Sequence, residues 1–215
     1  MIQKMILNSR EEWLEKRKSY IGGSDVGAVV GVNPFCTNVE LWEVKTGRKK
    51  PEDISDNPVV RYGSEAEAPL RELFKLDHPN YRVEYEPNNI WINTDYPWAH
   101  ASLDGWMYNS AGQLGILEIK TANIKASCQG DMWRERIPDR YYVQILHYMM
   151  VTGAVFAILK AQLKYEHEDV IHVTRHYHID RLFVEEDIRA LIELERGFAG
   201  FIERNERPPL ILPQV

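Results

Sequence analysis

A mixed α/β fold, a β-sheet flanked by helices, is what this sequence predicts, and three observations lead there. Apolar residues recur at helical spacing near both ends and in two inner segments. Short β-branched and aromatic runs cluster between residues 81 and 121 and again between 155 and 179. Gly, Pro, Asn or Ser punctuates nearly every junction between these runs. Helices, then strands, then a helix, two strands and a closing helix describe layers that share one core. With 215 residues and 44% hydrophobic content, a single domain over residues 1–215 is expected.

Taken in order, Ser9 and Glu12 form a capping-box pattern that opens a helix over 10–20, and the chain turns at Gly22-Gly23. Ser24 and Asp25 can cap a short apolar helix through Val30, closed by Gly31, and another short helix holds Val39–Val44. The polar segment 49–58 reads as a surface loop. A longer helix follows from Val59 to Lys75, with Pro69 expected to remove one backbone bond and kink it. Four strands, Tyr81–Glu86, Ile90–Thr94, Ala99–Tyr108 and Leu114–Thr121, are expected as a meander. Pro138-Asp139 then opens an apolar helix over Arg140–Val151, ended by Gly153. Strands at Val155–Leu163 and Val170–Ile179 and a helix over Glu185–Arg204 complete the reading, and the prolines of the tail favour irregular chain.

Composition removes several classes of function. Cys36 and Cys128 are too few for a disulfide framework, a four-Cys zinc site or a cysteine-ligated iron–sulfur cluster, so both read as small buried hydrophobes. Any metal must then sit on oxygen or histidine. The net charge of −6 argues against nucleic-acid binding through overall positive charge, although basic clusters remain at residues 16–18, 48–50 and 134–136. No apolar run approaches the roughly 20 residues a bilayer requires, and the N-terminus lacks a secretory pattern, so a cytoplasmic protein with no membrane partner is expected.

Asp104 and Glu118 flank the turn at Asn109–Gly112 almost symmetrically, so an antiparallel hairpin brings their carboxylates together on neighbouring strands. Like charges repel there, and a divalent cation held by both is the economical offset. Side chains alternate along Glu118-Ile119-Lys120, which puts Glu118 and Lys120 on one face and Ile119 on the other. Carboxylates holding a cation beside an ammonium suit phosphodiester hydrolysis. Read alone, the same three residues also describe an ordinary bend and a solvated strand face.

Context decides between these. Arg17 followed by Gly22-Gly23-Ser24-Asp25, then Gly63 and Glu67, Ser102 with Asp104-Gly105, Glu118 with Lys120, and Tyr141 with Gln144 occur in that order between about Trp13 and Thr152. This ordered set resembles the phage-type alkaline exonucleases, the lambda-exonuclease and YqaJ viral recombinase group of the PD-(D/E)XK nuclease superfamily. The resemblance implies a restriction-endonuclease-like sheet flanked by helices. It implies that Asp104, Glu118 and the Ile119 carbonyl bind Mg²⁺ or Mn²⁺, that Lys120 acts on the attacking water, and that Glu67 completes the catalytic set. Glu65 lies roughly 200° from Glu67 around a helix, so the two cannot both face the metal. For the 5′-phosphate and the adjoining DNA the resemblance implies Arg17, Ser24, Ser102, Gln144 and Tyr141, while Ser24 reads equally well as a helix cap. It further implies 5′→3′ degradation of double-stranded DNA from free 5′ ends, release of mononucleotides, and 3′ single-stranded tails for recombination. A homotrimeric ring and a single-strand annealing protein as partner follow from the same source.

Other residues carry less weight. His100 and His147 lack a partner at ligand spacing and read as structural. His172, His176 and His178 alternate on a strand without a Cys or fourth His to complete a tetrahedral site. The rival functions are an endonuclease or junction resolvase of the same fold, which needs no terminal-phosphate clamp, and a silent DNA-binding scaffold, against which the intact Glu67, Asp104, Glu118 and Lys120 speak.

Overall fold

The structure, a computed structural model, describes residues 1–54, 56–134, 136–166 and 169–213. Its elements run β1 (Ile2–Ile6), α1 (Arg10–Lys18), β2 (Ile21–Gly22), α2 (Gly23–Val29), α3 (Asn38–Lys45), α4 (Pro58–Asp77), β3 (Arg82–Glu84), β4 (Asn89–Asn93), β5 (Ala99–Ala101) and β6 (Gly105–Tyr108). They continue as β7 (Leu114–Ile124), α5 (Ser127–Asp131), α6 (Asp139–Thr152), β8 (Phe156–Glu166), β9 (Val170–Asp180) and α7 (Arg181–Glu203). A mixed α/β architecture is therefore what the chain adopts, with helices on its sheets.

The strands form two sheets, ordered β1-β4-β5-β2 and β3-β6-β7-β8-β9. The expected meander is thus interrupted: the segment foreseen as one strand over 99–108 breaks at residues 102–104, leaving β5 in the first sheet and β6 in the second. Asn89 makes the break. Its side chain donates to the Leu103 carbonyl at 2.9 Å and accepts from the Leu103 amide at 2.9 Å, satisfying backbone groups that would otherwise require a ladder partner. In the larger sheet β7 is antiparallel to β6 and parallel to β8, with α5 and α6 in the β7-to-β8 crossover.

Cores lie on both faces of that sheet. Leu117 and Ile119 of β7 join Leu70 and Phe74 of α4, while Ile116 of the same strand joins Ile145, Leu146 and Met149 of α6 and Ile188 and Leu191 of α7. The period of two along β7 sends alternate residues to these two layers. Helix α4 continues through Pro69 as one element, and Gly63 brings it close to β7, since a Cβ there would lie 3.3 Å from the Thr121 hydroxyl.

Other boundaries also moved. Helix α2 is capped by Gly22, whose amide donates to the Asp25 carboxylate at 2.9 Å, so Ser24 sits exposed inside the first turn and is not the cap. Helix α7 starts at Arg181, with Asp180 accepting from the Leu182 amide. Strand β1, unforeseen in the sequence, pairs with β4, and Cys128 is exposed on α5 where a buried thiol was expected. Residues 208–213 lack regular structure but are fastened by Asn38, which donates to the Pro209 carbonyl and accepts from the Ile211 amide.

Candidate active site

The hairpin register sets the site. Strands β6 and β7 pair Gly105 with Leu117, and one step beyond the last ladder pair Asp104 lies opposite Glu118. There the backbone partner on β6 has run out, and the Asp104 side chain takes its place: Oδ2 accepts the Ile119 amide at 2.9 Å. Behind it, the Arg71 guanidinium, itself buried, donates to the Asp104 carbonyl at 2.5 Å and stacks 3.6 Å from the Tyr85 ring. Asp104 is thus held at both ends, by β7 through its carboxylate and by α4 through its carbonyl.

Glu118 is almost wholly buried, at 1% exposure, and its two oxygens differ. Oε1 receives the Lys120 ammonium at 2.6 Å and the Gln144 amide at 2.9 Å, whereas Oε2 is buried without any hydrogen-bond partner. An unsatisfied buried carboxylate oxygen is costly, and native proteins retain one where something else completes it. Burial, and next the Asp104 charge, push the Glu118 carboxyl well above the ordinary carboxylate range. Burial disfavours the Lys120 charge, but Glu118 and Asp104 outweigh it and keep the ammonium protonated. Lys120 also lies 5.4 Å from the Tyr141 ring centroid, within cation–π range.

Glu67, half-buried on α4, faces this group, and burial together with the Asp104 charge raises its carboxyl to about 7. Glu65 instead lies exposed, paired with Arg61 at 3.9 Å, as the two-residue offset on a helix requires. The structure therefore brings Glu67, Asp104, Glu118 and Lys120 into one electrostatic cluster. Among the described residues, no three His, Cys, Asp or Glu side chains are closed into a metal cage by themselves. A donor set of this kind fits a hard divalent ion that keeps several waters, and the free Oε2 of Glu118 is the observation that fits it best.

The residues expected at a 5′-phosphate are placed less uniformly. Gln144 spends its amide N–H groups on Glu118 and on the Tyr148 hydroxyl, at 2.9 and 2.8 Å, so it supports the carboxylate cluster directly. Arg17 lies 4.2 Å over the Trp13 ring and donates from Nε to His100 Nε2 at 3.3 Å. The Ser102 hydroxyl is buried without a partner, and Ser24 is exposed at the start of α2. Asp25, which would oppose an anion beside Ser24, is turned onto Lys45 at 2.7 Å, and despite burial this partner and the Gly22 amide hold its carboxyl below the ordinary range. Tyr141 accepts from Arg140 at 3.0 Å and packs on Trp133.

Two contributors carried no signal in the sequence, and a third, His147, read there as structural, showed neither of its partners. Arg71 and Asn89 fix the segment that carries Ser102 and Asp104, and neither belongs to a motif. His147, buried between Glu195 Oε1 and the His100 carbonyl at 2.8 Å each, ties α6 and α7 to β5. Burial and the Arg17 charge push the His100 ring down to about 3, leaving it neutral and able to accept from Arg17. An imidazole 48 residues from its acid in sequence gives no such signal. Two of the strand histidines pack on aromatic rings: His176 stands edge-on to Phe74, and His178 stacks on Phe156.

Residues 12–155 match the YqaJ-like viral recombinase domain family. The chain belongs to that family. It is 34% identical over 160 residues to the YqaJ protein of Bacillus subtilis (strain 168), a match covering 70% of this chain and 46% of that one, so the chain spans about half the length of this relative. Among solved structures it is similar to the alkaline exonuclease LHK-Exo of Laribacter hongkongensis, with a TM-score of 0.62, 17% identity, and coverage of 91% of this chain and 95% of that one. A phage-related exonuclease from Haemophilus somnus 129PT gives a TM-score of 0.52 at 11% identity, covering 87% of this chain and 96% of that chain. The fold of this YqaJ-family chain is that of these solved exonucleases, with Glu67, Asp104, Glu118 and Lys120 gathered at the end of its central hairpin.

Proposed function

We propose that this YqaJ-family domain is a metal-dependent 5′→3′ exonuclease that acts on double-stranded DNA ends, releases mononucleotides and leaves 3′ single-stranded tails for recombination. One observation carries the reading: Asp104 and Glu118 oppose each other across the hairpin, Lys120 lies on Glu118, and one Glu118 oxygen is buried and unpartnered. Asp104, Glu118 and the Ile119 carbonyl would hold Mg²⁺ or Mn²⁺, which when bound supplies charge neutralisation at the scissile phosphate and a more acidic water. Lys120 orients the attacking water and offsets developing negative charge, and Glu67, with its carboxyl near neutrality, is suited to hold a proton beside them.

The terminal 5′-phosphate falls to Arg17, Ser24 and Ser102. Arg17 offers a forked donor and Ser102 an unused buried hydroxyl, and Gln144 joins them by releasing one of its present partners. Tyr141 lines the approach for the adjoining nucleotide. A homotrimeric ring would let an acidic chain enclose DNA against a basic inner wall, and a single-strand annealing protein would take up the tails. LHK-Exo has also been crystallised with dAMP, a nucleoside monophosphate of the kind such a reaction releases. That all of residues 1–215 form one nuclease domain is part of the same proposal.

Digestion of linear duplex with Mg²⁺ tests this reading. Duplex carrying a 5′-phosphate should be consumed faster than the same duplex with a 5′-hydroxyl, and Lys120→Ala should lower the rate by about 100-fold or more. Equal rates on both ends remove the phosphate clamp, and full activity in the variant removes the assigned lysine. Cutting of closed circular DNA at the same rate favours an endonuclease of this fold.

A further inference from the structure

Past the catalytic residues, β7 runs on to Ile124, and Lys125 begins a turn into α5. Lys125, Gly130, Asp131, Arg134, Tyr165 and Arg175 line a cavity of about 340 Å³ there. Three of these side chains are cations, and the one carboxylate, Asp131, is already paired with Arg134 at 2.9 Å. Like charges gathered around a cavity repel unless an anion enters, and in a chain of net charge −6 such a concentration runs against the general composition. The Arg175 guanidinium is fixed over the cleft by donating to the Arg134 carbonyl at 2.8 Å. Tyr165 adds an aromatic wall, and Gly130 keeps the space before it open, since a Cβ there would lie 3.4 Å from the Tyr165 hydroxyl.

Size and position narrow the ligand. The volume lies at the small end of ligand pockets, room for about one nucleotide and too little for a duplex. Basic groups that follow a backbone beside an aromatic ring that accepts any base are the recurring composition of sites for unpaired strands. Lys125 also lies five positions past Lys120, one residue beyond the end of β7, roughly 16 Å at the β rise, a distance of a few nucleotides.

We infer that this cleft binds single-stranded DNA beside the cutting site, with phosphates on Lys125, Arg134 and Arg175 and one base against Tyr165. The choice of polymer rests on the nuclease reading above.

The test is fluorescence anisotropy with the full chain in EDTA and a short 5′-hydroxyl oligothymidylate. Lys125 and Arg134 are exposed, so Lys125→Glu combined with Arg134→Glu leaves the core intact. That variant should bind at least about tenfold more weakly at low salt, and its slope of log affinity against log salt should fall by about 1.4, for two lost phosphate contacts. Tyr165→Leu should weaken binding with the slope unchanged. Unaltered affinity and slope in these variants overturns the inference, as does thymidine monophosphate competing as well as the oligomer at equal nucleotide concentration. Mononucleotide release from duplex by the unaltered chain with Mg²⁺ separates the two readings. Hydrolysis with binding insensitive to the variants sinks the cleft alone. Oligomer binding that the variants weaken, without hydrolysis under Mg²⁺ or Mn²⁺, sinks the nuclease and leaves the cleft.

Discussion

Glu67 shows how much a single side chain can report about its surroundings. Burial and the neighbouring Asp104 charge lift its carboxyl to about 7, from the 4.5 of an unperturbed glutamate. A folded acid with a raised pKa keeps a proton that the unfolded chain has lost, so between those two values stability falls as pH rises. On the proposed function, a divalent cation at Asp104 and Glu118 would have to displace protons from the same cluster, which would make its affinity rise over that window. Titration calorimetry with Mn²⁺ should therefore give tighter binding at pH 8 than at pH 6, with proton release visible as a heat that depends on the buffer. Glu67→Gln should flatten the fall in melting temperature over that range for the metal-free protein. An unchanged pH profile in that variant would show that Glu67 is not a source of the effect.

At the scale of elements, close approach rather than sequence pattern places the helices. A Cβ on Gly23 would fall 2.4 Å from the Tyr148 ring, so only glycine lets the start of α2 rest on α6. Gly23→Ala should cost about 1–3 kcal/mol by overpacking. Because Tyr148 shares the Gln144 amide with Glu118, the same change should also weaken cation binding, and equilibrium unfolding beside a Mn²⁺ titration would show both. The hairpin was legible because it is local: turn residues at 109–112 and alternation on each side fix which residues face one another. The three-residue break at 102–104 was not, since it depends on Asn89, a partner 14 residues away whose side chain supplies what a strand neighbour would. β1 was missed for a similar reason, being an exposed strand that pairs, among the described residues, with β4 alone. Arg17 and Ser24 were legible as residues, but the inward turn of Asp25 onto Lys45 beside them needed the fold.

For the molecule as a whole, the buried pair of His147 and Glu195 links α6 and α7, and His147 passes the connection to β5. Burial opposes the imidazolium, yet Glu195 raises the His147 pKa overall. A histidine with a raised folded pKa contributes its full stability below its ordinary value and loses it as pH climbs through the raised one. The metal-free chain should accordingly be more resistant to denaturant at pH 6 than at pH 9. Glu195→Ala should cost about 3–5 kcal/mol at pH 6, where the orphaned imidazole is most penalised, and less at pH 9. Equal losses at both values would mean that packing, not the ion pair, holds this junction. No helix among the described residues is long and apolar enough to cross a membrane.

The Asp104 carboxylate that caps the Ile119 amide has a practical consequence for anyone building an inactive version of this protein. Alanine at 104 deletes a proposed ligand and, in the same stroke, strips the carboxylate acceptor from an amide in the middle of the central strand, so lost turnover would mix chemistry with fraying. Asparagine keeps an oxygen in that position while discarding the charge. Hydrogen–deuterium exchange at the Ile119 amide should remain slow in Asp104→Asn and quicken in Asp104→Ala, which identifies the former as the cleaner knock-out.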